Sequence, residues 1–167
     1  MLQDVVIVAG ARTAIGDFGG GLKDLAPSEL GRIVIAEALR RANVEGREVG
    51  QVVMGQVIQS EPRDMYLSRV AAMNAGIPSH APALTLNRLC GSGLQAIISA
   101  AQAVRLGECA VAVAGGAESM SRAPYVVTSN RWGQRMGDST MIDALIGVLT
   151  DPFGHGHMGI TAENVAE

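Results

Sequence analysis

The chain has 167 residues, with 13 Lys plus Arg against 16 Asp plus Glu and a formal net charge of −3. Hydrophobic residues make up 48%, charged residues 17% and aromatics 3%. This is too apolar for a disordered chain, and too acidic and aromatic-poor for a nucleic-acid groove or base-stacking platform. Gly is frequent at 21 residues but follows no G-X-Y period, which excludes a collagen-like chain.

At the N-terminus, Met1 to Asp4 lack the basic region of a secretory leader. Asp4 to Gly10 is an apolar run closed by Gly, and it predicts a strand buried on both faces. Gly16 to Gly21 reads as a loop. Pro27-Ser28-Glu29 opens a helix that runs to about Ala42, with Arg40 and Arg41 in the last turn, where cations suit the helix dipole. Gln51 to Ile58 predicts a second strand. Met65 to Ala75 predicts a second helix, stopped by Gly76-Ile77-Pro78. Ala83 to Leu86 is a short third strand. A helix follows over about Gly91 to Leu106, with Leu94, Ile97, Ile98 and Ala101 at i, i+3, i+4 and i+7. Cys109 to Ala114 is a fourth strand, closed by Gly115-Gly116. Four alternations of strand and helix predict an α/β fold around a mostly parallel sheet.

Beyond Met120 the pattern changes. Ser121 to Asp138 is polar and aperiodic, Met141 to Leu149 is a short helical piece, and Thr161 to Glu167 looks like the start of a helix. The longest strongly apolar stretch, Leu89 to Val104, is 16 residues with Ser and Gln inside it, short for a membrane span. The expectation is a cytoplasmic protein with no membrane or nucleic-acid partner. The low charged fraction, against about 25% in typical domains, hints at a partner surface.

Two cysteines, Cys90 and Cys109, form no CxxC pair and predict neither a disulfide framework nor a metal site. Cys109 opens an apolar strand and reads as core. Cys90 sits where a strand turns sharply into a helix, followed by the small residues Gly91, Ser92 and Gly93. Small residues let a substrate approach, and the helix N-terminus offers N–H donors and partial positive charge. Both favour a thiolate and a developing oxyanion. They are not sufficient. A free thiol of pKa ~8.5 is only a few per cent ionised at pH 7, and a helix dipole contributes about 0.3–1 kcal/mol, under one pKa unit. A catalytic Cys90 therefore needs a base or cation from elsewhere. None of His80, His155 and His157 is placed by sequence to act as one. Gly91 to Ala96 also fits G-x-G-x-x-A, and Glu118 follows the next strand, so a dinucleotide-binding domain is a competing reading.

The stretch Asn87-Arg88-Leu89-Cys90-Gly91-Ser92-Gly93-Leu94-Gln95-Ala96 resembles the nucleophile signature of the thiolases, the acetyl-CoA acetyltransferases and β-ketothiolases. Four further ordered segments resemble that family: Ala11 to Gly16, Ala75 to Pro78, Gly115 to Ser121 and His157 to Asn164. Glu61 to Leu67 leans toward the β-ketothiolase branch. The resemblance implies a thiolase-like N-terminal βαβαβαβ layer around a mostly parallel sheet over 1–120, followed by the start of a loop domain over 121–167. It implies acyl transfer between acyl-CoA thioesters through an acyl-Cys90 intermediate. The overall reaction is Claisen condensation of two acetyl-CoA to acetoacetyl-CoA, or the reverse thiolysis of a 3-ketoacyl-CoA in fatty-acid metabolism. Leu149, His157 and Met158 would line the pantetheine channel. Asn87 and Arg88 would hold the turn and a subunit contact, and Arg12 and Thr13 would be structural. Coenzyme A is then substrate and product, with no cofactor or metal, and the complete enzyme is a homo-oligomer.

A complete thiolase is more than twice this length, and its second half carries the activating His of a Gly-His-Pro motif, a second Cys and a water-orienting Asn. This chain has no Gly-His-Pro. The expectation is a fragment, inactive until completed. The alternative within the family is a non-catalytic fragment or partner subunit.

Overall fold

The computed structural model describes residues 4–167, so Met1 to Gln3, on which the leader reading partly rests, lie outside the described residues. The chain divides into two compact units between Arg122 and Ala123.

The first unit is built on a three-stranded parallel sheet in the order β2-β1-β3, where β1 is Gln51–Gly55, β2 is Ala83–Leu86 and β3 is Ala112–Gly116. The central strand pairs on both sides, with Val52 opposite Ala83 and opposite Val113. A central parallel strand is covered on both faces, which is why Val52, Val53 and Met54 form an unbroken apolar run. Side chains alternate between faces along a strand. Val52 and Met54 accordingly join Ile35, Leu39, Leu67 and Ala71 from α1 (Pro27–Ala42) and α2 (Leu67–Asn74) on one side. Val53 joins Ala96 and Ala100 from α3 (Ser92–Arg105) on the other. The layers are thus helix, sheet, helix. Pro at the first position and Arg40 and Arg41 in the last turn bound α1 as the sequence predicts.

Three strands differ from expectation, the second ending at Gly55 rather than Ile58. Asp4 to Gly10 forms no strand, and Val6, Ile7 and Val8 are 77%, 82% and 72% exposed. An apolar β-branched run becomes a strand only where a neighbour accepts its hydrogen bonds, and among the described residues none does. The expected strand at Cys109 to Ala114 lies instead at Ala112–Gly116, because Gly50 N–H donates to Val111 O at 2.9 Å and sets the register from Gln51 opposite Ala112 to Gly55 opposite Gly116. Cys109 falls in the preceding turn, half-buried, where burial first and the Glu108 carboxylate second push its thiol above the ordinary range.

The second unit holds a two-stranded antiparallel pairing of β4 (Tyr125–Val126) with β5 (Ile142–Asp143), the short helix α4 (Ala144–Val148) and α5 (Met158–Ala166). Asp143 caps α4 by accepting from Leu145 N–H at 2.8 Å. No helix among the described residues is long and apolar enough to cross a membrane.

Candidate active site

The C-terminal ends of parallel strands are where open α/β sheets place ligands. In the first unit, β2 ends there at Leu86, and the chain turns through Asn87 to Gly91 into α3. The turn is tied at several points. Asn87 Oδ1 accepts from Leu89 N–H at 2.9 Å. Ser92 Oγ accepts from Arg88 N–H at 2.8 Å and donates to Leu89 O at 2.6 Å. Gly91 N–H and Ser92 N–H donate to Arg88 O and Leu89 O. The Arg88 guanidinium also meets Gln95 Oε1. These bonds hold Leu89 at φ 48°, in the left-handed region that an ordinary side chain adopts only when its surroundings over-determine it.

Cys90 follows directly and is exposed. Its own N–H finds no acceptor among the described residues, in contrast to those of Gly91 and Ser92. The first turn of α3 carries no acidic residue, so the positive end of the helix is not neutralised there. The arrangement offers an open sulfur, a free N–H beside it and a helix N-terminus. No side chain among the described residues hydrogen-bonds to Cys90.

The helix start lies hard against the sheet. A Cβ on Gly55 would sit 2.6 Å from the Ser92 carbonyl carbon, so only glycine fits at the end of β1. Glycine inside a strand pattern is itself a sign of such an approach, and this signal could have marked Gly55 from sequence. Ser92 reads from sequence only as a small residue, and its double hydrogen-bonding role appears only in the structure.

Glu118 has a different role from the ribose-binding acid of the dinucleotide reading. Its carboxylate accepts Val57 N–H at 2.8 Å and Ile58 N–H at 3.2 Å. Burial pushes its pKa up, the two N–H groups pull it down, and the Asp64 carboxylate adds a further upward push; the net direction is upward. Close by, Asp64 is fully buried and accepts from Ser60 and Glu61, while Arg122 pairs with Glu61 at 2.7 Å. A cavity of about 470 Å³ opens between the 12–22 and 118–121 segments, lined among others by Arg12, Phe18, Leu22 and Met120. Glu118 also lines it, and Cys90 does not.

In the second unit, Leu149, His157 and Met158 come together in a small hairpin. Met158 N–H donates to Leu149 O at 2.8 Å, Thr150 bridges His157, and Asp151 N–H donates to Gly156 O at 2.9 Å. His157 is the N-cap of α5, its Nδ1 accepting from Gly159 N–H at 3.0 Å. A neutral ring bonded in that way carries its proton on Nε2. Among the described residues no group of three His, Cys, Asp or Glu side chains converges as a metal site.

Comparison with known proteins places the fold in a family. The family model described as "Thiolase, N-terminal domain" matches residues 5–167. The chain is 64% identical to the beta-ketothiolase BktB of Cupriavidus necator over 167 residues, covering 100% of this chain and 42% of that protein. It is 48% identical to an acetyl-CoA acetyltransferase of the same organism, again covering 42% of the relative. Among solved structures, the Bacillus anthracis acetyl-CoA acetyltransferase superposes with a TM-score of 0.91 at 45% identity, over 98% of this chain and 41% of the other. Human mitochondrial 3-ketoacyl-CoA thiolase in complex with CoA gives 0.91 at 42% identity, over 95% and 41%. The chain therefore spans less than half the length of the relatives it matches. A parallel α/β sheet with a cysteine turn, matched over residues 5–167 by the family's N-terminal model, makes this chain a member of the thiolase family.

Proposed function

We propose that this chain supplies the nucleophile of an acyl transfer between CoA thioesters, with Cys90 as the acyl carrier. Cys90 Sγ, as thiolate, adds to the acyl carbon of an acyl-CoA. The tetrahedral oxyanion collapses by breaking the bond to CoA sulfur, and CoA thiolate leaves. The acyl group then passes from Sγ to the α-carbon of a second acetyl-CoA that has lost a proton, which forms a 3-ketoacyl-CoA. Thiolysis is the same sequence in reverse. The Cys90 N–H serves as one oxyanion donor, worth several kcal/mol where water is excluded. Leu149, His157 and Met158 form a wall for the pantetheine arm, His157 with its Nε2–H and Met158 with its thioether. Assembly into homo-oligomers and a place in fatty-acid metabolism belong to the same proposal and rest on the family resemblance; cytoplasmic residence rests on the sequence reading alone.

The observation that carries the reading is the exposed Cys90 directly after left-handed Leu89, with its N–H unclaimed at an unneutralised helix start. The family resemblance adds a condition: the activating base is supplied by the second half of a complete thiolase. The test is to express the chain alone and fused to the remaining C-terminal part of the Cupriavidus necator beta-ketothiolase, incubate each with acetyl-CoA, and map the acetyl group by peptide mass. The fusion is expected to carry acetyl on Cys90 and to thiolyse acetoacetyl-CoA, with both lost in Cys90→Ala. The chain alone is expected to show no turnover. Acetyl on another residue of the fusion would end the proposal.

A further inference from the structure

The lacing at the strand ends extends beyond the cysteine turn. Where β2 leaves the sheet, Gln56 N–H still donates to Leu86 O at 3.0 Å. One residue later Asn87 Nδ2 donates to Val57 O at 3.4 Å, while Asn87 Oδ1 accepts from Leu89 N–H. Asn87 thus joins two peptides: that of Val57 and the strained Leu89 immediately before Cys90. What fixes Val57 is Glu118. The ladder between β1 and β3 ends with Ala117 N–H on Gly55 O, and beyond it the Glu118 carboxylate takes the place of a strand by accepting both Val57 N–H and Ile58 N–H. Glu118 forms no ion pair among the described residues, and its charge is partly buried. A carboxylate half-buried without a cation costs stability, so its two N–H bonds are its structural return.

We infer that Glu118 is a positioning residue for Cys90, acting through the 57–58 peptides and Asn87 to hold Leu89 in its left-handed conformation. The inference rests on Cys90 being the nucleophile, but its test does not require acyl transfer. Iodoacetamide alkylates both cysteines of the 167-residue chain, and the ratio of the Cys90 rate to the Cys109 rate reads the turn against an internal reference. Glu118→Gln replaces one acceptor oxygen with an NH2 that faces a backbone N–H. It is expected to lower the ratio about five- to tenfold, roughly the factor carried by one hydrogen bond. Glu118→Asp keeps two acceptor oxygens one methylene further back and is expected to recover part of the loss. A role in bulk packing alone would leave it no better than Gln. Asn87→Asp keeps the acceptor for Leu89 N–H but loses the donor to Val57 O; read at a pH where both thiols are ionised, so that its added carboxylate does not change the thiolate fraction, it is expected to lower the ratio like Glu118→Gln. The double variant Glu118→Gln/Asn87→Asp is expected to be no slower than either single one, because both interrupt one path. Ile35→Val, in the core on the other face of the sheet, is expected to lower stability and leave the ratio unchanged.

An unchanged ratio in folded Glu118→Gln, a wild-type ratio in Asn87→Asp, or fully additive effects in the double variant would each overturn the inference. Should Glu118→Gln fail to fold, Asn87→Asp, at an exposed position, decides alone. Coupled alkylation rates in a completed chain that takes no acetyl group would sink the acyl-transfer proposal and leave this one standing.

Discussion

Leu89 and Gly55 show how single residues set the chemistry. Leu89 carries left-handed backbone with a Cβ, a conformation that costs of order 1–3 kcal/mol and persists only because Asn87 and Ser92 bond around it. Gly55 has the reverse constraint: any Cβ there meets the Ser92 backbone. Gly55→Ala is expected to destabilise the chain by about 1–3 kcal/mol through overpacking and to displace the start of α3, which a urea titration and the Cys90 alkylation rate would both register. His157→Ala removes an N-cap and is expected to cost about 0.5–2 kcal/mol. Hydrogen exchange would speed up first in the opening turn of α5, with the sheet amides unaffected.

At the scale of elements, the helices of the first unit were the legible part; the strand ends were not, and in the second unit β5 takes the start of the expected 141–149 helix while α5 begins at Met158 rather than Thr161. The start of α1 followed from Pro27-Ser28-Glu29, and the start of α3 from Gly91-Ser92-Gly93. The face α3 turns inward was less plain. Its larger residues Leu94, Ile97 and Ile98 have helical spacing, yet the buried stripe is Ala96, Ala100 and Ala103, because small side chains let the helix lie close on Val53 and β3. Ala96→Leu is accordingly expected to cost about 1–3 kcal/mol, readable as a lower thermal midpoint, although it raises helix hydrophobicity. Cys90 was legible because the turn chemistry around it is local. Glu118 was not: its partners Val57 and Ile58 lie 61 and 60 residues earlier, and no local pattern encodes that pairing. The run at Asp4 to Gly10 misled for the same reason, since a strand is defined by its neighbour.

For the molecule as a whole, carboxylates with opposite shifts govern the pH response. Arg40 first and Arg41 second hold Glu37 down to about 2, and Arg32 lowers Glu29. For both, the folded state binds the proton less tightly than the unfolded chain. Their contribution is present above the ordinary carboxylate range and fades as the pH falls, down to about 2 for Glu37. The three ion pairs along α1 are all open to solvent in part, so salt weakens the effect. Glu118 has the reverse sign: its folded pKa is raised, so its burial costs stability as pH rises through that raised value. Urea midpoints measured upward from pH 4 are expected to climb less in the wild type than in Glu118→Gln, and added salt is expected to flatten the acid limb in both.

The bare segment at Val5 to Val8 has a practical consequence. An uncharged row of β-branched side chains, open to water and flanked by no proline, is a ready template for amyloid-type stacking of one molecule on the next. Concentrated solutions of this chain are expected to bind thioflavin T with time, and Ile7→Lys, a gatekeeper charge in the middle of the row, is expected to delay the onset without altering the urea midpoint.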